Sequence, residues 1–327
     1  MSTNTNKKRV LVIQPLHAAG MAMLEQRDDI EIIQCDSLDE DVIAEAAKDV
    51  HAMTVRAAKI TKRIMDAAPD LMVVSRHGVG YDAVDLNTLT QRNIPLCIAV
   101  HSNMISVAEQ AMALLLGLAK DMFYYDDVTR RDGWPDRWPT RAVDIDGKKV
   151  LIVGFGRIGS QVAKRALGFD MQVYGYDPYI DQKIMTDAGV EPVSNYNSVL
   201  GDMDAVAIHC METTETTNMF STEQFQKMKS DAFLVNCARG GIVDEDALHS
   251  ALTSGEIRAA GLDVLLDEPS SAEHPLFKLK NIILSPHIAG VTVESTQRMA
   301  TQTVDNVLRV FDGNIDPDCV VNSDVLK

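Results

Sequence analysis

Residues 149–159 read Lys149-Val150-Leu151-Ile152-Val153, then Gly154-Phe155-Gly156-Arg157-Ile158-Gly159. Five mostly apolar residues make a short strand buried on both faces. The GxGxxG spacing turns directly into a helical pattern over 157–167. A second apolar run, 171–176, ends in Asp177. Strand, glycine turn, helix and acid at this spacing form a dinucleotide-binding fingerprint. Two glycines let backbone approach a pyrophosphate, and the third lets helix and strand pack closely. The helix N-terminus adds free N–H groups and partial positive charge. An acid at Asp177 suits a ribose 2′-hydroxyl and repels a 2′-phosphate, so NAD is expected over NADP.

The fingerprint starts almost halfway along a chain of 327 residues, so something else must fold before it. Outward from it, strand-like and helical stretches alternate in both directions. Before it, strands are expected at 10–13, 30–33, 52–55, 71–75 and 96–100, with helices at 18–25, 41–47, 62–67 and 86–92. Residues 106–130 read as one long helix, apolar on most faces and therefore buried between domains or subunits. Residues 132–146, rich in Trp, Pro and charge, read as a surface arm. After it, strands are expected at 149–153, 171–176, 205–209, 233–236, 259–263 and 282–285, and a final helix at 293–311. The fold class is α/β with two doubly wound parallel sheets. The last helix is expected to return to the first sheet. That gives a substrate domain of 1–102 and 291–327, flavodoxin-like, with an inserted Rossmann NAD domain of 103–290.

Composition narrows the partners. With 31 basic and 47 acidic residues the net charge is −16, which disfavours nucleic acid and anionic membrane. The polar start MSTNTNKKR leads straight into a strand, so no signal peptide is expected. No apolar run reaches the roughly 20 residues that span a bilayer. Cys35, Cys97, Cys210, Cys237 and Cys319 are odd in number and well separated, which predicts reduced thiols, a cytoplasmic protein and no metal site.

In open parallel sheets, ligands bind at the carboxyl ends of strands. Those ends in the second half carry His209-Cys210, Arg239, Asp263 with Glu268 beyond it, and His287. Arg239 suits the grip of a carboxylate, because its guanidinium is permanently charged and forked. His287 suits acid–base work near neutral pH, and Glu268 beside it would stabilise the imidazolium and fix its tautomer. Each also has an ordinary structural reading: a helix-capping arginine, a loop histidine, a solvated turn acid. Their convergence in a cofactor domain is what favours the catalytic set.

The stretches VRAAKITK (55–62), RHGVGYDAVD (76–85), SVAEQAMALLL (106–116), VGFGRIG (153–159), NCARGGIVDEDAL (236–248), GLDVLLDEP (261–269) and SPHIAGVTVES (285–295) together resemble the D-isomer-specific 2-hydroxyacid dehydrogenase family. The likeness is strongest to its phosphoglycerate dehydrogenase branch. It implies Arg239, Glu268 and His287 as the catalytic set. It implies cofactor contacts at Gly154, Gly156, Arg157, Ile158, Gly159, Asp177, Cys210, Thr216, Cys237, Ala238, Arg239, Asp263, His287, Ala289 and Gly290, with Asp263 on the nicotinamide carboxamide. Backbone N–H groups of Val79 and Gly80 would meet a substrate carboxylate in a cleft that closes. A homodimer through the long helix is also implied.

The chain departs from the branch at His77, usually a small residue, near His101, usually Pro or Gly, and at Gln110, often His. No regulatory C-terminal domain is expected after the last helix. Arg56, Arg76, His77 and His101 would add positive or hydrogen-bonding groups near a substrate's distal end. They suggest a 2-keto or 2-hydroxy acid such as phosphohydroxypyruvate or hydroxypyruvate, although they could equally only shape a loop. Two other readings stand beside this one. A formate dehydrogenase-like enzyme would usually carry Gln where Glu268 stands, and an NAD-sensing corepressor would bind partners without turnover.

Overall fold

A computed structural model describes residues 7–138 and 141–327. The chain forms two compact units, one of residues 1–103 with 291–327 and one of 104–290.

The first unit alternates β1 (Lys8–Ile13), α1 (Ala18–Glu25), β2 (Ile30–Cys35), α2 (Glu40–Ala46), β3 (Ala52–Val55), α3 (Lys62–Asp66), β4 (Val73–Arg76), α4 (Leu86–Gln91) and β5 (Leu96–Ile98). All strand pairs are parallel, in the order β2-β1-β3-β4-β5. This is the flavodoxin-type winding, whose ligand crevice opens where the order reverses, between β1 and β3.

The second unit contains α5 (Met104–Ala119), α6 (Met122–Arg130), β6 (Lys149–Val153), α7 (Arg157–Gly168), β7 (Gln172–Tyr176), α8 (Gln182–Asp187), β8 (Glu191–Pro192), β9 (Ala205–Ile208), α9 (Thr222–Lys227), β10 (Phe233–Asn236), α10 (Glu245–Ser254), β11 (Ala259–Leu262) and β12 (Ile282–Leu284). Its seven parallel strands run β12-β11-β10-β9-β6-β7-β8, the Rossmann order with its reversal between β6 and β9. β6 shows why the apolar runs form strands. Val150 and Ile152 enter one core with α5 and α7, while Leu151 and Val153 enter the opposite core. Each such buried side chain contributes about 1.5–3 kcal/mol.

The final helix, α11 (Val293–Phe311), belongs to the first unit. A reciprocal Thr292–Ser295 capping box starts it. It buries Ala300, Val304 and Val307 against Val10, Val12 and Val73 of the first sheet.

The long helix expected over 106–130 is two helices. α5 ends at Ala119, and Asp121 takes a left-handed φ of 50° before α6 begins. The break has tertiary causes. Val143 N–H donates to Ala119 O at 2.8 Å, and the Arg141 guanidinium pairs with Asp121. Helix α5 is largely buried, but in the core of its own unit with α7 and β6 rather than between domains or subunits as the sequence suggests, and α6 buries only Val128. The arm over 132–146 contains a 3-10 turn, Trp134–Arg137; Pro139 and Thr140 within it lie outside the described residues. No helix is long and apolar enough to cross a membrane among the described residues.

Candidate active site

The glycine turn follows β6 directly. Gly154 has φ +91°, and a Cβ there would strike the backbone of His209 and Cys210. A Cβ on Gly159 would strike the Gly154 carbonyl, so both positions are closed by protein packing. Gly156 differs, because a Cβ there would meet nothing within 4 Å. Gly154 therefore serves the packing of adjacent strand ends, and the open approach lies over Gly156. That residue caps α7, and no side chain caps the first N–H groups at Arg157, Ile158 and Gly159. Asp177, just past β7, accepts Phe155 N–H at 2.9 Å through one oxygen and Tyr179 N–H at 2.9 Å through the other. The open glycine, uncapped helix start and acid fit a pyrophosphate followed by a ribose diol.

On the far side of the winding reversal, Cys210 follows β9 and Thr216 closes the next loop. Thr216 Oγ1 donates to Met211 O at 2.7 Å and accepts Thr213 N–H at 2.8 Å. Burial pushes the Cys210 thiol up to about 11, so it stays a neutral thiol at ordinary pH. Asn236, at the end of β10 and 1% exposed, folds the segment after it. Its Oδ1 accepts Ala238 N–H at 2.9 Å and its Nδ2 donates to Arg239 O at 2.8 Å. This turn presents Cys237, Ala238 and Arg239 at the strand end, where Arg239 Nη1 donates to Ala238 O at 2.7 Å.

Glu268 and His287 meet: Glu268 Oε2 lies 2.6 Å from His287 Nδ1. The other carboxylate oxygen accepts Leu265 N–H at 3.0 Å. Burial alone would raise the Glu268 carboxyl. The hydrogen bonds from His287 and Leu265, with the charges of His287 and Arg239, outweigh burial and hold it below its usual range. Its loop is anchored by Glu245 at the start of α10, which accepts Leu266 N–H at 2.8 Å and contacts His274 Nε2 at 3.0 Å.

Asp263, just past β11 and 1% exposed, organises the loop that carries His287. Its carboxylate accepts Ser285 Oγ–H at 2.5 Å, Ile288 N–H at 3.0 Å and Ala289 N–H at 2.8 Å. Its carbonyl accepts His287 N–H at 2.7 Å. His287 itself has a φ of +52°, in the left-handed region.

The first unit places the remaining candidates at its own strand ends. Arg56 follows β3, is exposed, and donates to Pro15 O at 3.1 Å. His77, Val79 and Gly80 follow β4, and His101 lies past β5. His77 is 5% exposed, its Nε2 has no hydrogen-bond partner, and burial with Arg56 and Arg76 nearby pushes it down to about 4. It is a neutral ring, not an added charge. His101 is exposed, and its N–H meets Gln302 Oε1 at 3.2 Å.

Four organising residues carry no role in the sequence reading, Gln14, Asn236, Glu245 and Ser285, and Gln110 stands there only as a departure from the family pattern. Gln14 ends β1 with φ +66° and accepts Ala57 N–H at 2.7 Å, joining the two strand ends at the first sheet's reversal. Its place at a strand end was a usable signal, as was that of Asn236. Gln110 and Ser285 offered none, being 175 residues apart.

The description "D-isomer specific 2-hydroxyacid dehydrogenase, NAD binding domain" matches residues 112–289. A D-3-phosphoglycerate dehydrogenase of Methanocaldococcus jannaschii is 36% identical over 94% of this chain, which spans only 58% of that relative's length. A glyoxylate reductase of Korarchaeum cryptofilum is 34% identical over 98% of both chains. Among solved structures, a Thermus thermophilus protein superposes with a TM-score of 0.85 at 31% identity, covering 96% of this chain and 99% of its own. The D-lactate dehydrogenase of Aquifex aeolicus, complexed with NAD and lactic acid, gives 0.86 at 26% identity, covering 96% and 99%.

Proposed function

This chain belongs to the D-isomer specific 2-hydroxyacid dehydrogenase family, and on that premise we propose that it is an NAD-dependent dehydrogenase interconverting a D-2-hydroxy acid and its 2-keto acid. The observation that carries the reading is the 2.6 Å contact between His287 Nδ1 and Glu268 Oε2 at a strand end beside Arg239. NAD(H) supplies the hydride when bound. Arg239 grips the substrate carboxylate with its fork and holds the adjacent oxygen in line. His287, its Nδ1 engaged by Glu268, turns Nε2 to that oxygen and gives or takes the proton. Glu268 keeps the ring's tautomer and orientation and offsets its positive charge. Glu268, a carboxylate, favours ketone–alcohol chemistry over formate oxidation, which moves no such proton.

The cofactor set is Gly154, Gly156, Arg157, Ile158, Gly159, Asp177, Cys210, Thr216, Cys237, Ala238, Arg239, Asp263, His287, Ala289 and Gly290. For the substrate we carry forward Arg56, His77, Val79, Gly80 and His101 of the first unit. His77 acts there through hydrogen bonding or shape, since burial keeps it neutral. A phosphoglycerate- or hydroxypyruvate-like acid suits this set. Exposed Met122, Phe123, Trp134 and Trp138 (58–68% accessible) support a homodimer, and the five unpaired cysteines support a cytoplasmic location.

The test is NADH oxidation against a panel of 2-keto acids differing in length and distal charge. Turnover of hydroxypyruvate, glyoxylate or a phosphorylated analogue above pyruvate supports the reading. Tight NADH binding with no turnover of any 2-keto acid overturns it.

A further inference from the structure

His287 holds a left-handed backbone conformation, which a non-glycine residue adopts only at some cost. Such a conformation persists where the surroundings over-determine it. Here the surroundings are specific. Asp263 gathers three donors on its carboxylate, from Ser285, Ile288 and Ala289, and a fourth, His287 N–H, on its carbonyl. Two of those donors directly follow His287, so the peptide on each side of the imidazole's Cα is tied to one buried residue. The tie continues outward, since Gln110 Nε2 on α5 donates to Ser285 Oγ at 3.2 Å.

The donor order fixes what position 110 must be. The single Ser285 hydroxyl proton is committed to Asp263 at 2.5 Å, so Ser285 Oγ has only lone pairs left for its other neighbour. Residue 110 must therefore donate. Gln110 does, whereas a carboxylate there would meet lone pairs and add a charge beside Asp263. The chain also enters this unit at Met104, at the start of α5, and leaves it at Gly290, just past His287. The relay thus fastens the departing segment to the arriving helix.

We infer that Gln110, Ser285 and Asp263 form a positioning relay through which helix α5 sets the place of the His287 imidazole. The inference rests on the reading of His287 as the acid–base group. A misplacement of about 1 Å at a reacting group can cost up to roughly 100-fold in rate, so a slackened loop should lower kcat by more than it weakens the cofactor, which Ala289 and Gly290 of the same loop also meet.

Four variants test it: Ser285→Ala, Ser285→Thr, Gln110→Glu and Gln110→His. Ser285→Ala and Gln110→Glu should lower kcat roughly 10-fold, with a smaller rise in the NADH dissociation constant, read by fluorescence. Ser285→Thr keeps the hydroxyl and Gln110→His keeps a ring N–H donor; both should stay near wild type. Gln110→Glu should regain rate relative to wild type as pH falls from 8 to 5.5. The new carboxyl, its proton held by the Asp263 charge, then becomes a donor. Independently of turnover, hydrogen exchange at the Ile288 and Ala289 amides should quicken in the two slackened variants. Should Ser285→Ala not fold, the position-110 pair decides alone. Equal kcat and exchange in Gln110→Glu and wild type, or a loss without recovery at low pH, would overturn the relay. A wild-type rate in His287→Ala would instead overturn the parent reading.

Discussion

Nδ1 of His287 and Oε2 of Glu268 stand 2.6 Å apart, with the two side chains 49% and 38% accessible. An acid and a base this close and this reachable by solvent suit a group that must exchange protons on each turnover. His287→Ala should lower kcat by roughly 10²–10⁴, the usual worth of a general acid, measured by steady-state NADH oxidation at saturating keto acid.

Glu268→Gln should act more gently. The Glu268 carboxyl sits below its ordinary 4.5. Its negative charge is therefore fully present above that value and lost only as pH falls through the lower value it holds in the folded chain. Removing the charge at neutral pH withdraws support from the protonated ring. The acid-requiring limb of the reduction profile should move to lower pH by roughly half to one unit, the worth of a partly exposed ion pair near 1 kcal/mol. A profile that does not move would assign Glu268 to loop structure alone.

Arg239→Ala should separate the two binding events. Two charge-assisted hydrogen bonds to a carboxylate are worth about 3–5 kcal/mol, so kcat/KM should fall roughly 10²–10³-fold or more. NADH affinity should hold within a few-fold. Arg239→Lys should recover little, because an ammonium lacks the planar fork. Equal losses of NADH affinity and kcat/KM would leave Arg239 a cofactor contact alone and overturn its grip on the substrate.

Asp177→Ala should relax the preference for NAD. With the carboxylate gone, a 2′-phosphate no longer meets a like charge, and the NADPH/NADH ratio of kcat/KM should rise roughly 10-fold or more. The Phe155 and Tyr179 N–H groups that Asp177 accepts would turn to solvent, so a small fall in Tm should accompany the change. An unaltered ratio would hand discrimination to another residue.

How much of this was legible in the chain follows from range. Parallel strands buried on both faces announce themselves as short apolar runs, which is why Lys149–Val153 and Phe233–Asn236 read correctly from sequence. Ligand sites of such sheets lie at strand ends, so Asp177, Arg239 and His287 stand out as candidates without knowing what packs around them. The break at Asp121 could not, because nothing local stops a helix there; Arg141 and Val143 make the turn from about 20 residues away. Burial of His77 was equally hidden, since Arg-His-Gly reads as polar until α11 packs over the turn. β8, only Glu191–Pro192, is too short to carry a pattern.

Two histidines outside the proton-transfer set make acid stability a sharp readout. Burial pushes His77 and His209 down to about 4 each, and neither ring nitrogen of His209 has a hydrogen-bond partner. In the unfolded chain each titrates near its ordinary 6.5. Between those values the unfolded state binds more protons than the folded one, so stability rises with pH and falls as pH drops from 6.5 towards 4. A fully expressed shift of this size is worth roughly 3 kcal/mol per ring, enough to threaten a protein of ordinary marginal stability. Tm should therefore fall steeply between pH 6.5 and 4.5. His209→Gln, which cannot gain a proton in either state, should flatten that slope even if it lowers Tm at pH 8 through its altered shape. His77→Gln should flatten it by a similar amount, and the two effects should add, because the rings lie in separate units. Parallel Tm-against-pH curves for wild type and both variants would mean that these rings are protonated, or find partners, in the folded chain.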